Sequence, residues 1–220
     1  MTDLLIIIPA RKGSKRIKNK NIIKIGGKEL ILKTIDFAKK IKAKKKIIIS
    51  SDSKKIIDLV INYDESILSP GLRSKKLSSD IAKTEDVADH IIDWYESNFN
   101  EVSNILLLQP TTPYRDVIKF NKIYNNFINK KHESLISVSP LINLNKKIIT
   151  LKNEKIFSKK KTKQNLYQAN GSFYLIQKKI FKKYKTFVPK NTFVSIIKDF
   201  NQTIDIDTNI DLEVAKKFEE

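Results

Sequence analysis

The sequence predicts an α/β domain, a mainly parallel sheet flanked by helices in one unit spanning residues 1–220. Three observations carry that expectation. Short runs that are apolar on both faces, Leu4–Ile8 foremost, are what strands covered on two sides require. Between such runs lie amphipathic stretches of helical period. No repeat, linker or low-complexity tail interrupts the 220 residues, a length that buries roughly 70% of its unfolded surface in a single core.

In chain order, Leu4–Ile8 ends at Pro9 and gives way to a polar stretch through Asn21, followed by a helical pattern from about Leu30 to Ile41. Lys46–Ser50 is the next strand, and Ser51, Asp52 or Ser53 can cap a helix reaching about Ile61. Thr84-Glu85-Asp86 opens another helix, with a hydroxyl cap, acids that complement the dipole, and Val87, Ala88, Ile91, Ile92 and Tyr95 on one face. Ile105–Gln109 is predicted as a buried strand, Asp116–Asn129 as a helix and Ser134–Ser139 as a strand. From about Leu141 to Gln168 the texture turns polar and lysine-rich, with hairpin-like pieces at Ile148–Leu151 and Lys155–Phe157. A small insertion is expected there, for oligomer contacts or as a substrate lid. The α/β rhythm resumes with Gly171–Gln177, a helix near Lys178–Lys183, a strand at Phe193–Ile197 and, from Asp207, a last helix to about Phe218.

Composition excludes several function classes. Without cysteine there is no disulfide framework, zinc ribbon, thiolate nucleophile or iron–sulfur cluster, and His90 and His132 are the only imidazoles. The longest apolar run falls far short of the roughly 20 residues that span a bilayer, and its basic flank lies on the wrong side for a signal peptide. A cytoplasmic protein without membrane insertion is expected. The 43 Lys and Arg outnumber 24 Asp and Glu, for a formal charge of +19, which invites a nucleic-acid partner. Lysine and isoleucine are inflated together, however, so runs such as Lys44-Lys45-Lys46 and Lys159-Lys160-Lys161 read as solvated loops. Trp94 and Tyr95 read as helix core and flank, and His90, beside Asp89, as a surface histidine. Both histidines are expected in helices, away from the chemistry. Arginine is the informative base: Arg11, Arg16, Arg73 and Arg115 all fall in loops at strand ends or helix starts. Their planar forks grip phosphate or carboxylate in a way lysine cannot replace.

Ligands of open α/β sheets sit beyond the carboxyl ends of the strands. Directly after the first strand comes Pro9-Ala10-Arg11-Lys12-Gly13-Ser14-Lys15-Arg16-Ile17-Lys18-Asn19-Lys20-Asn21. Cations interleaved with Gly, Ser and Asn in an irregular loop make an anion cradle. Neither GxxxxGK[ST] nor GxGxxG occurs, so this is not a Walker loop or a dinucleotide fingerprint.

Ile8 to Asn21 fits without a gap a signature of the form I-P-A-R-x-x-S-K-x-x-x-x-K-N, and in this the chain resembles the CMP-sugar synthetases, cytidylyltransferases that activate sialic acid and related nonulosonic acids. Further segments follow in the family's order. Arg73-Ser74-Lys75-Lys76-Leu77-Ser78-Ser79-Asp80, continuing to Thr84, resembles R-P-x-x-L-A-S-D; Leu108-Gln109-Pro110-Thr111-Thr112-Pro113-Tyr114-Arg115 resembles L-Q-P-T-S-P-L-R; and Asn170-Gly171-Ser172-Phe173-Tyr174 resembles N-G-A-I-Y. The resemblance implies a fold like the nucleotide-diphospho-sugar transferases, with an inserted dimerisation subdomain at about 141–168, and a homodimer. It implies nucleotide contacts from Ala10, Arg11, Gly13, Ser14, Lys15, Arg16, Lys20, Asn21, Arg73, Ala82 and Thr84, and sugar contacts from Gln109, Asn170 and Tyr174. Ser74 replaces the family's proline, and Lys163 stands where relatives commonly carry an arginine. Ser50-Ser51-Asp52-Ser53 resembles a family stretch, and a helix cap explains it equally well.

The last segment is Asp205-Ile206-Asp207-Thr208. A strand period of two points both aspartates to one face and Ile204 and Ile206 to the other. Hard carboxylate oxygens suit Mg²⁺, which takes one or two protein carboxylates plus phosphate oxygens; alternatively, the aspartates cap the last helix. The implied reaction is attack by the anomeric hydroxyl of a 2-keto sugar acid on the α-phosphate of CTP, with Arg11, Lys20 and Asp207 as catalytic residues and Mg²⁺ as cofactor. Alternatives are a cytidylyltransferase for the eight-carbon keto sugar of lipopolysaccharide, a basic nucleic-acid-binding protein, and a catalytically dead nucleotide binder.

Overall fold

The computed structural model describes residues 2–14, 16–140, 148–152, 155–160 and 167–219, the two pieces between 148 and 160 as backbone. The elements run β1 (Thr2–Pro9), β2 (Lys24–Ile25), β3 (Lys28–Glu29), α1 (Leu30–Lys39), β4 (Lys45–Ser50), α2 (Lys54–Tyr63), α3 (Lys75–Ser78), α4 (Thr84–Asn98), β5 (Val102–Leu107), α5 (Val117–Asn129), β6 (Ser134–Pro140), β7 (Ile148–Lys152), β8 (Lys155–Lys160), β9 (Tyr167–Gln177), α6 (Lys178–Tyr184), β10 (Phe193–Ile196) and α7 (Asn209–Lys217).

Six strands form the main sheet in the order β10-β6-β9-β5-β1-β4. β1 pairs in parallel with β4 and β5, and β10 with β6. β9 alone is antiparallel to both neighbours, so the sheet is mixed, although five strands share one direction. Isolated segments cannot reveal strand direction, because β9 follows an excursion that leaves the sheet and returns. Within that excursion β7 and β8 make a separate two-stranded antiparallel sheet. The Lys163 segment of the expected insertion lies outside the described residues.

Strand alternation explains why Leu4–Ile8 has no polar face. Leu4, Ile6 and Ile8 join Ile31, Ile35, Val60, Phe120 and Phe127 on one side of the sheet. Leu5 and Ile7 join Val87, Ile91, Ile92, Tyr95 and Phe181 on the other. All five β1 residues are fully buried, so helices cover both faces. A third cluster gathers Ile17, Ile25, Leu30, Ile204, Ile206, Leu212 and Ala215. It glues the loop after β1 to the segment before α7.

Several local expectations are corrected. Thr84 is the first residue of α4 rather than its cap, which is Lys83. Ser53 is the N-cap of α2, yet its hydroxyl makes no capping bond. Lys45 and Lys46 lie in β4, and Lys159 and Lys160 in β8, rather than in loops. His132 sits in the turn after α5, its ring against Phe193, while His90 is exposed on α4. Neither Asp205 nor Asp207 caps α7. Thr208 does so in a capping box: its Oγ1 accepts from the Asp211 amide, while the Asp211 carboxylate accepts from the Thr208 amide at 2.7 Å. The same carboxylate accepts from the Asp207 amide at 3.0 Å, so the cap also fixes the backbone that carries Asp207. Thr208→Ala is expected to cost about 1 kcal/mol of stability and Thr208→Ser almost none; urea denaturation of the two variants checks this.

Candidate active site

The carboxyl ends of β1 and β5 open into a cleft of about 340 Å³ lined by Pro9, Arg11, Lys20, Asn21, Arg73, Leu77, Ser79, Asp80, Ala82, Thr84, Gln109, Thr111, Asp205 and Asp207. Its basic wall is the loop after β1. That loop is pinned where it leaves the strand, since the Ala10 amide donates to the Ser50 carbonyl and the Asn21 side chain donates to the Arg11 carbonyl. Further on, the Lys12 amide donates to Asp52 at 2.6 Å, so Asp52 steadies the loop rather than capping α2. Asn19 adopts a left-handed conformation (φ 55°) ahead of a single 3₁₀ turn at Lys20–Ile22. Ile17, buried in the third cluster, anchors its middle.

Three cations of the cleft face carboxylates. Arg11 Nη1 lies 2.8 Å from Asp80 Oδ1, and Lys20 Nζ 2.7 Å from Asp207 Oδ1. Arg16 Nη2 approaches the other Asp207 oxygen at 3.3 Å. Arg73 is almost fully buried, and its Nε donates to Ser78 Oγ. Burial lowers its guanidinium pKa, and Asp52 opposes that fall. Ser74, the replacement for proline, caps the short α3 by accepting from the Leu77 amide.

The two aspartates project from an extended segment without a sheet partner, and the expected alternation holds there. Ile204 and Ile206 are buried in the third cluster, whereas Asp205 and Asp207 face the cleft. The Ile206 amide donates to the Thr111 carbonyl, which fixes the register. One Asp205 oxygen, Oδ1, is buried without a hydrogen-bond partner. Burial holds the Asp205 carboxyl above its ordinary range, with the Asp207 charge adding to the rise.

The far wall, Gln109 and Asp205, is backed by β9. Between Ile136 and Val138 its register with β6 shifts, and the chain turns through Gly171 at φ +73°. A Cβ there would meet Gln109 Oε1 at 3.0 Å, Thr112 Cγ2 at 3.3 Å and Asp205 Oδ2 at 3.4 Å. Glycine is required both by the backbone angle and by this close approach. Asn170 is buried, its Oδ1 accepts from the Ser172 amide, and its Nδ2 has no partner.

The predicted residues thus separate. Arg11, Lys20, Asn21, Arg73, Ala82, Thr84, Gln109, Asp205 and Asp207 line the cleft, and Arg16 reaches it through Asp207. Ala10 is buried in the first core cluster, and Gly13, Ser14 and Asn170 are not among the lining residues, Asn170 lying buried beside Gly171 behind Gln109 and Asp205. Tyr174 packs against the second core cluster, with burial raising its hydroxyl pKa. Lys15 lies outside the described residues. Sequence reasoning missed Asp80 and Thr111. Asp80 stands inside a quoted motif, but nothing in one sequence tells which cation, 69 residues away, it will meet. Among the described residues no group of three or more His, Cys, Asp or Glu could hold a metal, so a divalent ion here would have two carboxylates and complete its coordination with water or a ligand.

A cytidylyltransferase family model matches residues 5–220. The chain is 32% identical to the CMP-N,N'-diacetyllegionaminic acid synthase of Legionella pneumophila, over 99% of its own length and 96% of the relative's. It is 30% identical to the pseudaminic acid cytidylyltransferase of Campylobacter jejuni, over 96% and 94% of the two chains. Among solved structures, 4-diphosphocytidyl-2C-methyl-D-erythritol synthase shares the fold at TM-score 0.74, covering 100% and 99% of the chains at 11% identity.

The buried Asp205 charge gives a pH test. A folded-state pKa raised above the unfolded value means that folding favours the neutral acid, so stability is lost as pH rises through the folded pKa. Asp205→Asn is therefore expected to melt above the unmutated protein at pH 7 without ligands. The gap should close below the ordinary aspartate pKa of 3.8. Thermal melts across that range check the sign.

Proposed function

The chain belongs to the cytidylyltransferase family, and on that premise we propose that it transfers CMP from CTP to the anomeric hydroxyl of a nine-carbon 2-keto sugar acid, releasing pyrophosphate. The observation that carries the reading is the meeting of the loop after β1 with the Asp205–Asp207 segment, Lys20 to Asp207 across 187 positions. Cations for a triphosphate and carboxylates for its counter-ion share one cleft. Relatives named for legionaminic and pseudaminic acids support the acceptor class.

Arg11, Lys20 and Arg16 offset the charge of the triphosphate, and the Arg11 fork fixes two phosphate oxygens in one plane. Arg73, Ala82 and Thr84 form the wall for the cytosine. Gln109 and Asn170 orient the sugar acid, so that its anomeric oxygen stands in line with the bond from the α-phosphorus to the bridging oxygen of pyrophosphate. Formation of the new oxygen–phosphorus bond breaks that bond, and the hydroxyl proton is lost to the carboxylate side of the cleft. Such a displacement depends on alignment and charge rather than on covalent help. Neither histidine is among the lining residues.

The donor set fits Mg²⁺: Asp205 brings a buried carboxylate oxygen without a partner, and Asp207 a half-exposed carboxylate paired with Lys20 and Arg16. Bound there with phosphate oxygens, the ion would neutralise developing charge and acidify the attacking hydroxyl. Lys20 and Arg16 then trade Asp207 for phosphate. The insertion at about 141–168 is proposed to make a homodimer contact. No helix among the described residues is long and apolar enough to cross a membrane.

Pyrophosphate release with Mg²⁺ and each of CTP, UTP, ATP and GTP, across a panel of 2-keto sugar acids, tests the function. Release with CTP and one nine-carbon acid is expected; silence across the panel, or release with the eight-carbon acid alone, overturns the acceptor class. Asp207→Asn should abolish turnover while the fold is kept, and near-normal turnover would remove its metal role. Arg11→Lys keeps the charge but loses the fork, and should lower kcat by about 10²-fold, the scale of losing one aligned transition-state donor.

A further inference from the structure

The fourth arginine does not reach the nucleotide side of the cleft. Arg115 leads into α5 and lies behind the far wall, where it borders a second cavity of about 340 Å³ on the α1–α5 side of the sheet. Its guanidinium is spent on protein groups. Nη2 donates at 2.5 Å to the Gln109 carbonyl and at 2.5 Å to Thr112 Oγ1, while Nε donates at 2.7 Å to the Ser172 carbonyl. Thr112 Oγ1 in turn lies 3.2 Å from the Gln109 and Gly171 carbonyls.

These bonds join the turn that carries Gln109 to the turn that carries Asn170. The first follows β5 and the second lies within β9, and they approach each other closely over Gly171, a space that Asp205 also enters. With the Ser172 carbonyl gripped by Arg115 and its amide held by Asn170 Oδ1, the Asn170 carboxamide leaves Nδ2 as a donor without a partner. A planar fork can hold two carbonyls and a hydroxyl at fixed angles; an ammonium cannot.

We propose that Arg115 is the positioning residue of the acceptor half of the cleft, holding Gln109 and Asn170 in one geometry against Asp205 for the polar groups of the sugar acid. It touches neither substrate. This inference rests on the function proposed above, and it goes further by separating acceptor binding from nucleotide binding within one cleft. A displacement of about 1 Å in such positioning groups costs about 10²-fold in rate.

The test uses Arg115→Lys and Arg115→Met in the full chain. CTP affinity, measured by titration calorimetry without sugar, is expected within about 2-fold of the unmutated protein, because the loop after β1 and Arg73 make no bond to Arg115. The sugar-acid KM is expected to rise, with kcat/KM falling about 10²-fold, more for Met than for Lys. Thr112→Val should give a smaller rise, and adding it to Arg115→Lys should cost less than the sum of the two. A merely structural arginine would reduce CTP-competent protein and kcat in proportion and leave the sugar KM unchanged, which overturns the proposal. Loss of CTP binding in both variants also overturns it, since Arg115 would then support the whole cleft. Turnover by the unmutated protein tests the function itself; the KM contrast between it and the variants tests the role of Arg115.

Discussion

A cleft that grips a polyanion must also exist when it is empty. In a chain of net charge +19, several cations turned toward one space repel one another at close range. The structure answers with carboxylates placed as exchangeable counter-ions. Asp80 holds Arg11, and Asp207 holds Lys20 and Arg16. The Arg11–Asp80 pair is about half exposed on both sides, and pairs of that kind contribute only about 0–1 kcal/mol. That weakness has a use. Pairs this weak set the direction of the side chains, yet yield to a triphosphate carrying more charge than a single carboxylate.

The fold makes this balance possible by anchoring the loop with apolar residues instead of charges. Ile17 and Ile25 pack with Ile204, Ile206 and Leu212, so segments far apart in sequence are brought together by hydrophobic burial. Only then do their polar ends meet across the cleft. The far wall follows a different rule. β9 runs antiparallel between β5 and β6, and its register shift in mid-strand turns Gly171 toward Gln109 and Asp205. An all-parallel sheet would send that chain end to the opposite edge. The one strand of reversed direction is what brings Gly171 against Gln109 and Asp205.

Much of this was legible in the sequence, and what was not has physical causes. Continuous apolar runs and helical periods located most elements to within a few residues, because burial on both sheet faces leaves a strong local imprint in Leu4–Ile8. The direction of β9 left no such imprint, since strand polarity depends on the path between strands. Spacing by two placed Asp205 and Asp207 on one face, although no ladder forms there. The helix cap was harder: Thr84 and Ser53 have capping chemistry, but Lys83 ends as the cap of α4 and Thr208 makes the full box on α7. Asp80 and Thr111 were invisible as site residues because their roles are pairings across long separations, with the Arg11 side chain and the Ile206 amide.

The arginines show how far composition can be read. Their scarcity among so many lysines signalled geometric duty without saying of what kind. Arg11 and Arg16 face the cleft through exposed carboxylate partners, and Arg73 is held in its wall by burial and Ser78. Arg115 instead donates to the Gln109 and Ser172 carbonyls and to the hydroxyls of Thr112 and Thr34. Burial pushes its pKa down to about 9, with the Asp205 charge pulling it back, so it remains a cation at neutral pH. A cation that is ionised, enclosed and bonded to backbone of the turn after β5 and of β9 cannot move toward a ligand without breaking the wall. The exposed arginines can. Exposure therefore divides the four into Arg11 and Arg16, free to turn toward a substrate, and the enclosed Arg73 and Arg115, which keep the shape of the walls.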